Sequence, residues 1–200
     1  GIDITYRPDK NDPSIIAQIN KFRDLNYKII GSYAYLTRIK GLEQLIKVLE
    51  KRKDLAVVII GEGEAKNELI ELSRTLNVID RTLFLDYLPT PYNYLSLFDV
   101  YAMCSRSEGF GLAAVEATLM QTPVVCSNIS IFKEIFDDTK VSFFELDNIS
   151  SLLESINIAI STIGKLKAKV ALNYSLNNFS GYKMASNYLE IYSNLLNGKI

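Results

Sequence analysis

The sequence has 200 residues, 48% of them hydrophobic, with 22 basic and 23 acidic side chains and a formal net charge of −1. This length and composition favour one globular domain with a sizeable core, and the balanced charge gives no overall field to attract nucleic acid or an anionic membrane. Histidine is absent, which excludes a Ser-His-Asp hydrolase. No apolar run approaches the roughly 20 residues of a membrane span, and no signal-peptide core is visible, so we expect a cytoplasmic protein without a transmembrane segment.

The elements alternate along the chain. Residues 1–12 contain little apolar sequence and are predicted to form a linker before a domain at 13–200. Short apolar segments then alternate with segments whose apolar residues recur at helical spacing, and the pattern is helical throughout after residue 148. In chain order, we predict strands at 27–33, 55–61, 82–88, 98–104, 122–127 and 141–146, and intervening helices at 40–52, 64–77, 91–97, 111–120 and 130–136.

This alternation predicts an α/β fold, specifically a Rossmann-like three-layer sandwich around a parallel sheet of about six strands. The extra C-terminal helices are expected to close one face or edge of the sheet. Most predicted strands lack in/out alternation, as is typical of strands covered on both faces. Cys104 and Cys126 end apolar runs without metal-ligand or disulfide spacing, so we expect reduced, buried thiols.

The loop after the fourth predicted strand has the composition of a ligand site. In open parallel sheets, ligands bind beyond the carboxyl ends of the strands. The amides of residues 109–112 begin a helix and could hold a phosphate. Glu108 and Glu116 would repel that anion, so we interpret them as acceptors for hydroxyl groups, such as a vicinal diol at Glu116. The alternative is that Glu116 forms a structural ion pair with Lys or Arg.

The segment EGFGLAAVE, Glu108 to Glu116, resembles the E-x7-E signature of retaining glycosyltransferases of the GT-B fold, in glycosyltransferase family 4 or group 1. GLEQLIKVLEKRKDLAVVIIGEGE resembles that family's K-G-x-x-x-L-I helix and the strand after it. GIDITYRP resembles its interdomain linker, and NYLEIYSNLL its terminal helix. The likeness covers only the C-terminal, donor-binding half of such enzymes, so an N-terminal acceptor domain is expected to be absent from this chain.

The resemblance implies a nucleotide-sugar donor, UDP- or GDP-linked, with no cofactor and no metal; the sequence contains no D-x-D. It implies that Glu108 contacts the transferred sugar, that Lys40 neutralises the leaving diphosphate and that Glu116 binds the ribose. The full set of residues implied for the donor is Glu108 and Lys40 for catalysis, Arg38, Lys40, Gly109, Phe110, Gly111 and Leu112 for the diphosphate, Glu116 for the ribose, and Tyr87 and Leu88 for the base.

The sequence departs from the family pattern at two positions. Tyr35 stands where the family usually carries an arginine, five residues before the lysine, and Arg38 is the expected substitute. Asp86 replaces a customary glycine near the base site. A dinucleotide site is disfavoured, because Lys66 stands where the third glycine of G-x-G-x-x-G would fall.

The implied activity is transfer of a sugar, with retention, to a glycan or lipid-linked acceptor once the chain is joined to its N-terminal half. The isolated domain is expected to be inactive. The full-length enzyme would be cytoplasmic, with peripheral membrane association as an option. The alternatives are a non-catalytic nucleotide-binding module and a GT-B-like epimerase or phosphorylase.

Overall fold

A computed structural model describes Ile2 and residues 11–198 of the chain. The predicted linker at 1–12 therefore lies mostly outside the described residues, and only Ile2, Asn11 and Asp12 belong to them.

The described residues contain one sheet of six parallel strands in the order β3-β2-β1-β4-β5-β6. Each predicted strand segment contains one observed strand, which confirms the predicted fold class. The strands are β1 Lys28–Tyr33, β2 Leu55–Ile60, β3 Thr82–Leu85, β4 Val100–Met103, β5 Val124–Ser127 and β6 Ser142–Phe144.

Helices flank the sheet in the described part of the chain. They are α1 Pro13–Asp24, α2 Glu43–Lys51, α3 Lys66–Thr75, α4 Leu112–Leu119, α5 Ser130–Ile135, α6 Ile149–Ile160, α7 Thr162–Phe179 and α8 Gly181–Leu196, with 3-10 turns at Arg38–Lys40, Ile79–Arg81 and Pro91–Leu97. The predicted helix at 91–97 is thus a 3-10 turn. No helix among these residues is both long and apolar enough to cross a membrane.

Helix α1 was missing from the sequence prediction, although its signals are present. The side chain of Asp12 accepts a hydrogen bond from the amide of Ser14, and Pro13 occupies the first turn, a position that tolerates proline because its amide would be unpaired. Ile15, Ile19 and Phe22 recur at helical spacing and pack into the core. No element was predicted for this segment from the sequence.

The core has two layers, one on each face of the sheet. Along β2, Val57 and Ile59 face the layer that also contains α2, α3 and α6, whereas Ala56, Val58 and Ile60 face the layer with α1, α4 and α5. All six residues of β2 are buried. This two-sided burial is the physical reason for the continuous apolar runs in the sequence.

Strand order reverses between β1 and β4, which are direct neighbours in the sheet, with Ile30 opposite Val100, although β2 and β3 lie between them in the chain. Chain segments leaving the carboxyl ends of β1 and β4 then diverge toward opposite halves of the sheet. Such a reversal opens a crevice at the carboxyl edge of a parallel sheet. The fold therefore places the loops after Tyr33 and Met103 on either side of a crevice.

Candidate functional site

The loop after β1 is held against the end of β4 by a glycine. Gly41 ends the 3-10 turn Arg38–Lys40 with a φ of 60°. A Cβ at Gly41 would lie 2.2 Å from the carbonyl oxygen of Cys104, so this approach requires glycine. The contact brings Lys40 to the segment that follows β4.

Lys40 forms an ion pair with Glu108 at the floor of the crevice. The Lys40 Nζ lies 2.7 Å from Glu108 Oε1, and the Ser105 hydroxyl donates to the same oxygen at 2.7 Å. The Lys40 side chain is 25% exposed and that of Glu108 is 11% exposed, so the pair is partly shielded from water while it still faces the crevice. Both contacts use Oε1. Among the described contacts none uses Oε2 of Glu108, which is therefore available to another donor.

The turn before α4 presents main-chain amides. Gly111 has a φ of 83°, and a Cβ there would meet the ring of Phe132 at 2.5 Å. Helix α4 follows directly, without a side-chain cap, so its first amides remain open to an anion. A Cβ at Gly109 would meet nothing within 4 Å, which leaves the approach to this turn open.

These groups line a cavity of about 370 Å³ that we call the Lys40 crevice. Its lining brings together Lys40, Glu108, Phe110, Gly111 and Leu112, five of the residues that the sequence predicted for one site. Gly109 lies within the same turn.

A second cavity, of about 450 Å³, adjoins the Lys40 crevice, and we call it the Tyr87 pocket. The two cavities share Tyr33, Ala34 and Tyr35, which form the wall between them. Tyr87 and Leu88, the two residues predicted for the base, both line the Tyr87 pocket. The remaining lining residues are Ile60, Gly61, Glu62, Pro89 and Pro91.

Asp86 turns away from the Tyr87 pocket. Its carboxylate forms an ion pair with Lys66 and does not line the pocket. The substitution of a customary glycine by Asp86 therefore adds a surface ion pair and puts no charge into the pocket.

Glu116 lies on α4 behind the shared wall. Its Oε2 accepts a hydrogen bond of 2.5 Å from the hydroxyl of Tyr33. Burial raises the pKa of Glu116, while the Tyr33 hydrogen bond acts in the opposite direction. None of the ion pairs found among residues 11–198 involves Glu116. In these residues Glu116 therefore forms a hydrogen bond with Tyr33 and not the alternative ion pair with Lys or Arg.

Arg38, predicted for the diphosphate, does not line the Lys40 crevice in this structure. Its guanidinium donates to both carboxylate oxygens of Glu68, at 2.7 and 3.1 Å, and its side chain is 81% exposed. Arg38 lines a separate groove with Ala65 and Leu72. Within the tight 3-10 turn, Arg38 thus contacts Glu68 while Lys40 contacts Glu108.

Two residues of the site were missed by the sequence reasoning. Tyr33 was interpreted only as the end of a strand, although a hydroxyl at the carboxyl end of a central strand is a signal for a site. Ser105 follows β4 directly and bonds Glu108 three residues later; its spacing to Glu108 was the available signal. Cys104 and Cys126 are free and buried, as predicted.

Three comparisons relate this architecture to known proteins. A family model described as glycosyl transferases group 1 matches residues 15–171. The O-antigen biosynthesis glycosyltransferase WclY of Escherichia coli is 36% identical over 167 residues, which are 84% of this chain and 47% of that protein. The chain thus spans about half the length of the curated relatives it matches.

Solved structures show the same fold. The crystal structure of Anabaena Alr3699/HepE in complex with UDP and glucose has a TM-score of 0.83 at 22% identity, over 97% of this chain and 55% of that chain. The C-terminal domain of a glycosyl transferase group 1 family protein (LpcC) from Francisella tularensis has a TM-score of 0.72 at 20% identity, over 90% of this chain and 100% of that chain.

Proposed function

Because this chain belongs to the group 1 family of glycosyl transferases, we propose that it binds the nucleotide-sugar donor of an enzyme that transfers a sugar, with retention, to a glycan or lipid-linked acceptor. One observation carries the proposal: two adjoining cavities, one with the Lys40–Glu108 pair and one lined by Tyr87 and Leu88, meet at a common wall with Glu116 behind it.

The donor spans both cavities in this proposal. Its base lies in the Tyr87 pocket, and its ribose hydroxyls face Glu116 near the shared wall. Its diphosphate meets Lys40 and the amides of residues 109–112, where a helix N-terminus favours anions. The transferred sugar lies over Glu108, whose free Oε2 can accept hydrogen bonds from the hydroxyls of that sugar. The Anabaena neighbour was crystallised with UDP and glucose, which supports UDP as the first nucleotide to test.

Lys40 has the main catalytic role in the proposal. Breaking the bond between sugar and diphosphate leaves additional negative charge on the leaving phosphate oxygen, and a positioned cation stabilises that charge. Before the donor binds, Glu108 holds Lys40 in place through the 2.7 Å ion pair. The ammonium group has three donors, so it can keep Glu108 and still bind a phosphate oxygen. With Arg38 held by Glu68, Lys40 carries this role without a second side-chain cation from its own turn.

We also propose that no metal or cofactor takes part, since Lys40 and the α4 amides supply the positive charge that a metal would otherwise provide. We propose that the enzyme acts in the cytoplasm, where thiols such as Cys104 and Cys126 remain reduced, with peripheral membrane association when the acceptor is lipid-linked.

The acceptor site is assigned to a further, N-terminal domain. The aligned part of this chain covers 47% of WclY, which supports the idea that donor and acceptor sites belong to different halves. The 200-residue chain alone is therefore expected to bind the donor weakly and to transfer little or no sugar. A non-catalytic module, an epimerase and a phosphorylase are the alternatives for the activity. The proposed donor site is the same under all three.

Calorimetric titration of the 200-residue chain with UDP, GDP and ADP tests the donor site. We expect saturable binding of at least one of these nucleotides. Absence of saturable binding of all three into the millimolar range would overturn the proposal. The Francisella tularensis C-terminal domain, which this fold matches over its full length, was crystallised as a domain, and this supports working with the chain by itself.

A further inference from the structure

Tyr33 is held rigidly at the junction of the two cavities. It is the last residue of β1, next to β4 where the strand order reverses. The hydroxyl of the fully buried Tyr101 donates to the Tyr33 carbonyl oxygen at 3.2 Å and accepts from the Tyr33 amide at 3.4 Å. The two rings pack with centroids 4.9 Å apart. Both the main chain and the ring of Tyr33 are therefore fixed by the core.

The Tyr33 hydroxyl in turn fixes the carboxylate of Glu116. It donates to Oε2 at 2.5 Å, so the rotation of that carboxylate about its last torsion is restrained. The described hydrogen bonds leave Oε1 of Glu116 available, and the Tyr33 hydroxyl oxygen keeps lone pairs that can accept. Two acceptors thus lie on neighbouring side chains, one of which, Tyr33, lines both cavities.

That pair of acceptors matches the two donors of a vicinal diol. A single, freely rotating carboxylate must lose conformational freedom on binding, whereas a carboxylate that is already held presents its acceptor at no such cost. The match also explains a tyrosine at this position: phenylalanine would fill the same volume, but it would leave Glu116 without its described hydrogen bond.

We propose that Tyr33 is a positioning residue for the donor, which orients Glu116 so that the Glu116–Tyr33 pair selects a ribose over a 2′-deoxyribose. The proposal rests on the proposed function above, because it assumes that a nucleotide occupies the shared wall. It assigns the selection of the sugar of the nucleotide to a residue outside the E-x7-E segment, 83 positions away from Glu116 in the chain.

The experiment titrates the wild-type chain, Tyr33→Phe and Tyr94→Phe with UDP and 2′-deoxy-UDP. If UDP does not bind, the corresponding pair of GDP or ADP ligands is used. Only UDP has a 2′-hydroxyl that can donate a hydrogen bond to the charged carboxylate of Glu116, so the wild type should bind UDP about tenfold or more tightly than 2′-deoxy-UDP. Tyr33→Phe should reduce this preference to about threefold or less. Tyr94→Phe is the matched control, since it removes a buried hydroxyl that accepts from the Asp12 amide, and it should keep the wild-type preference.

A double variant shows whether Tyr33 acts through Glu116. Tyr33→Phe should add less than about twofold to the loss of preference caused by Glu116→Gln, because a residue that acts by orienting the Glu116 carboxylate has little further effect once that carboxylate is gone. If Tyr33→Phe keeps the wild-type preference, or binds UDP more tightly, the inference is wrong while the donor site stands. If the wild type does not distinguish the two ligands, the inference is also wrong. If the wild type binds no nucleotide, the proposed function itself fails.

Discussion

The Lys40 crevice and the Tyr87 pocket share one wall and yet differ in chemistry. The crevice holds an ion pair and the open amides of a helix start, whereas the pocket is lined largely by aromatic, aliphatic and proline side chains. The two acids near the wall differ as well, because Glu108 pairs with a cation and Glu116 with a neutral hydroxyl. This contrast is what a ligand with a charged centre and an uncharged, planar end requires.

The comparison also shows how the fold produces the contrast. Lys40 reaches the crevice because Gly41 allows the loop to touch Cys104, while the pocket forms where Gly61 allows the segment after β2 to approach Ala34. A Cβ at Gly61 would lie 2.0 Å from the Ala34 carbonyl oxygen. In both cases a glycine with positive φ lets two loops meet at the carboxyl edge of the sheet.

The largest expected effect is on transfer by the crevice. In the enzyme that carries the acceptor-binding half, Glu108→Gln should lower kcat about 10²-fold or more, because the sugar loses its positioning contact. UDP lacks the transferred sugar. The affinity for UDP should therefore stay the same or increase, because Lys40 is released from its ion pair with residue 108. Glu50→Gln, at an exposed position on α2, is the control. Unchanged transfer in Glu108→Gln would contradict the catalytic role given to Glu108.

The next largest effect is on nucleotide affinity, and it distinguishes the two cavities by comparing UDP with uridine. Lys40→Gln should weaken UDP binding about 10- to 100-fold, because a charge-assisted contact to phosphate is lost, and should leave uridine binding unchanged. Tyr87→Ala should instead weaken both ligands by the same factor, about tenfold or less. Lys51→Ala, exposed at the end of α2, serves as the charge control. Equal losses for uridine and UDP in Lys40→Gln would show that the contrast between the cavities has been assigned wrongly.

The smallest expected effect is on the thermal stability of the fold, which the buried carboxylate of Glu116 lowers when it is charged. Since burial raises the pKa of Glu116 in the folded chain, the folded state binds its proton more readily than the unfolded state does. The charged carboxylate therefore lowers stability above the folded-state pKa, and this penalty disappears as pH falls below the ordinary carboxyl pKa.

Glu116→Gln should accordingly raise Tm at pH 8, by less than about 4 °C, the change that roughly 1 kcal/mol gives in a domain of this size. The gain should be smaller at pH 5. Glutamine can still accept from Tyr33, so the core contact is kept. Thermal melts of both proteins at the two pH values measure the difference, and a lower Tm for the variant at pH 8 would contradict this account of Glu116.

Sequence patterns were enough to predict the sheet and the positions of Glu108, Lys40 and the helix start. Continuous apolar runs, such as that of β2, have a direct physical cause in two-sided burial. The edge at which the Lys40 crevice lies follows from the parallel sheet, because parallel strands end at the same edge. These features depend on local sequence and on general rules of topology.

Local sequence does not provide the contacts between distant residues. Arg38 is directed by Glu68, which is 30 positions away, and nothing in the local sequence shows that this carboxylate lies within reach. Tyr33 meets Glu116 only because β1 lies next to β4, and the strand order was not predicted. Helix α1 is different, since its cap and spacing are local signals, and it was missed because polar residues outnumber the three that face the core.

A crystal structure of the chain with UDP, or with whichever nucleotide binds, tests the central claim most directly. The account predicts that the base lies against Tyr87 and Leu88, that the ribose hydroxyls meet Glu116, and that the diphosphate contacts Lys40 and the amides of residues 109–112. A nucleotide bound elsewhere, such as in the groove beside Arg38, would contradict it.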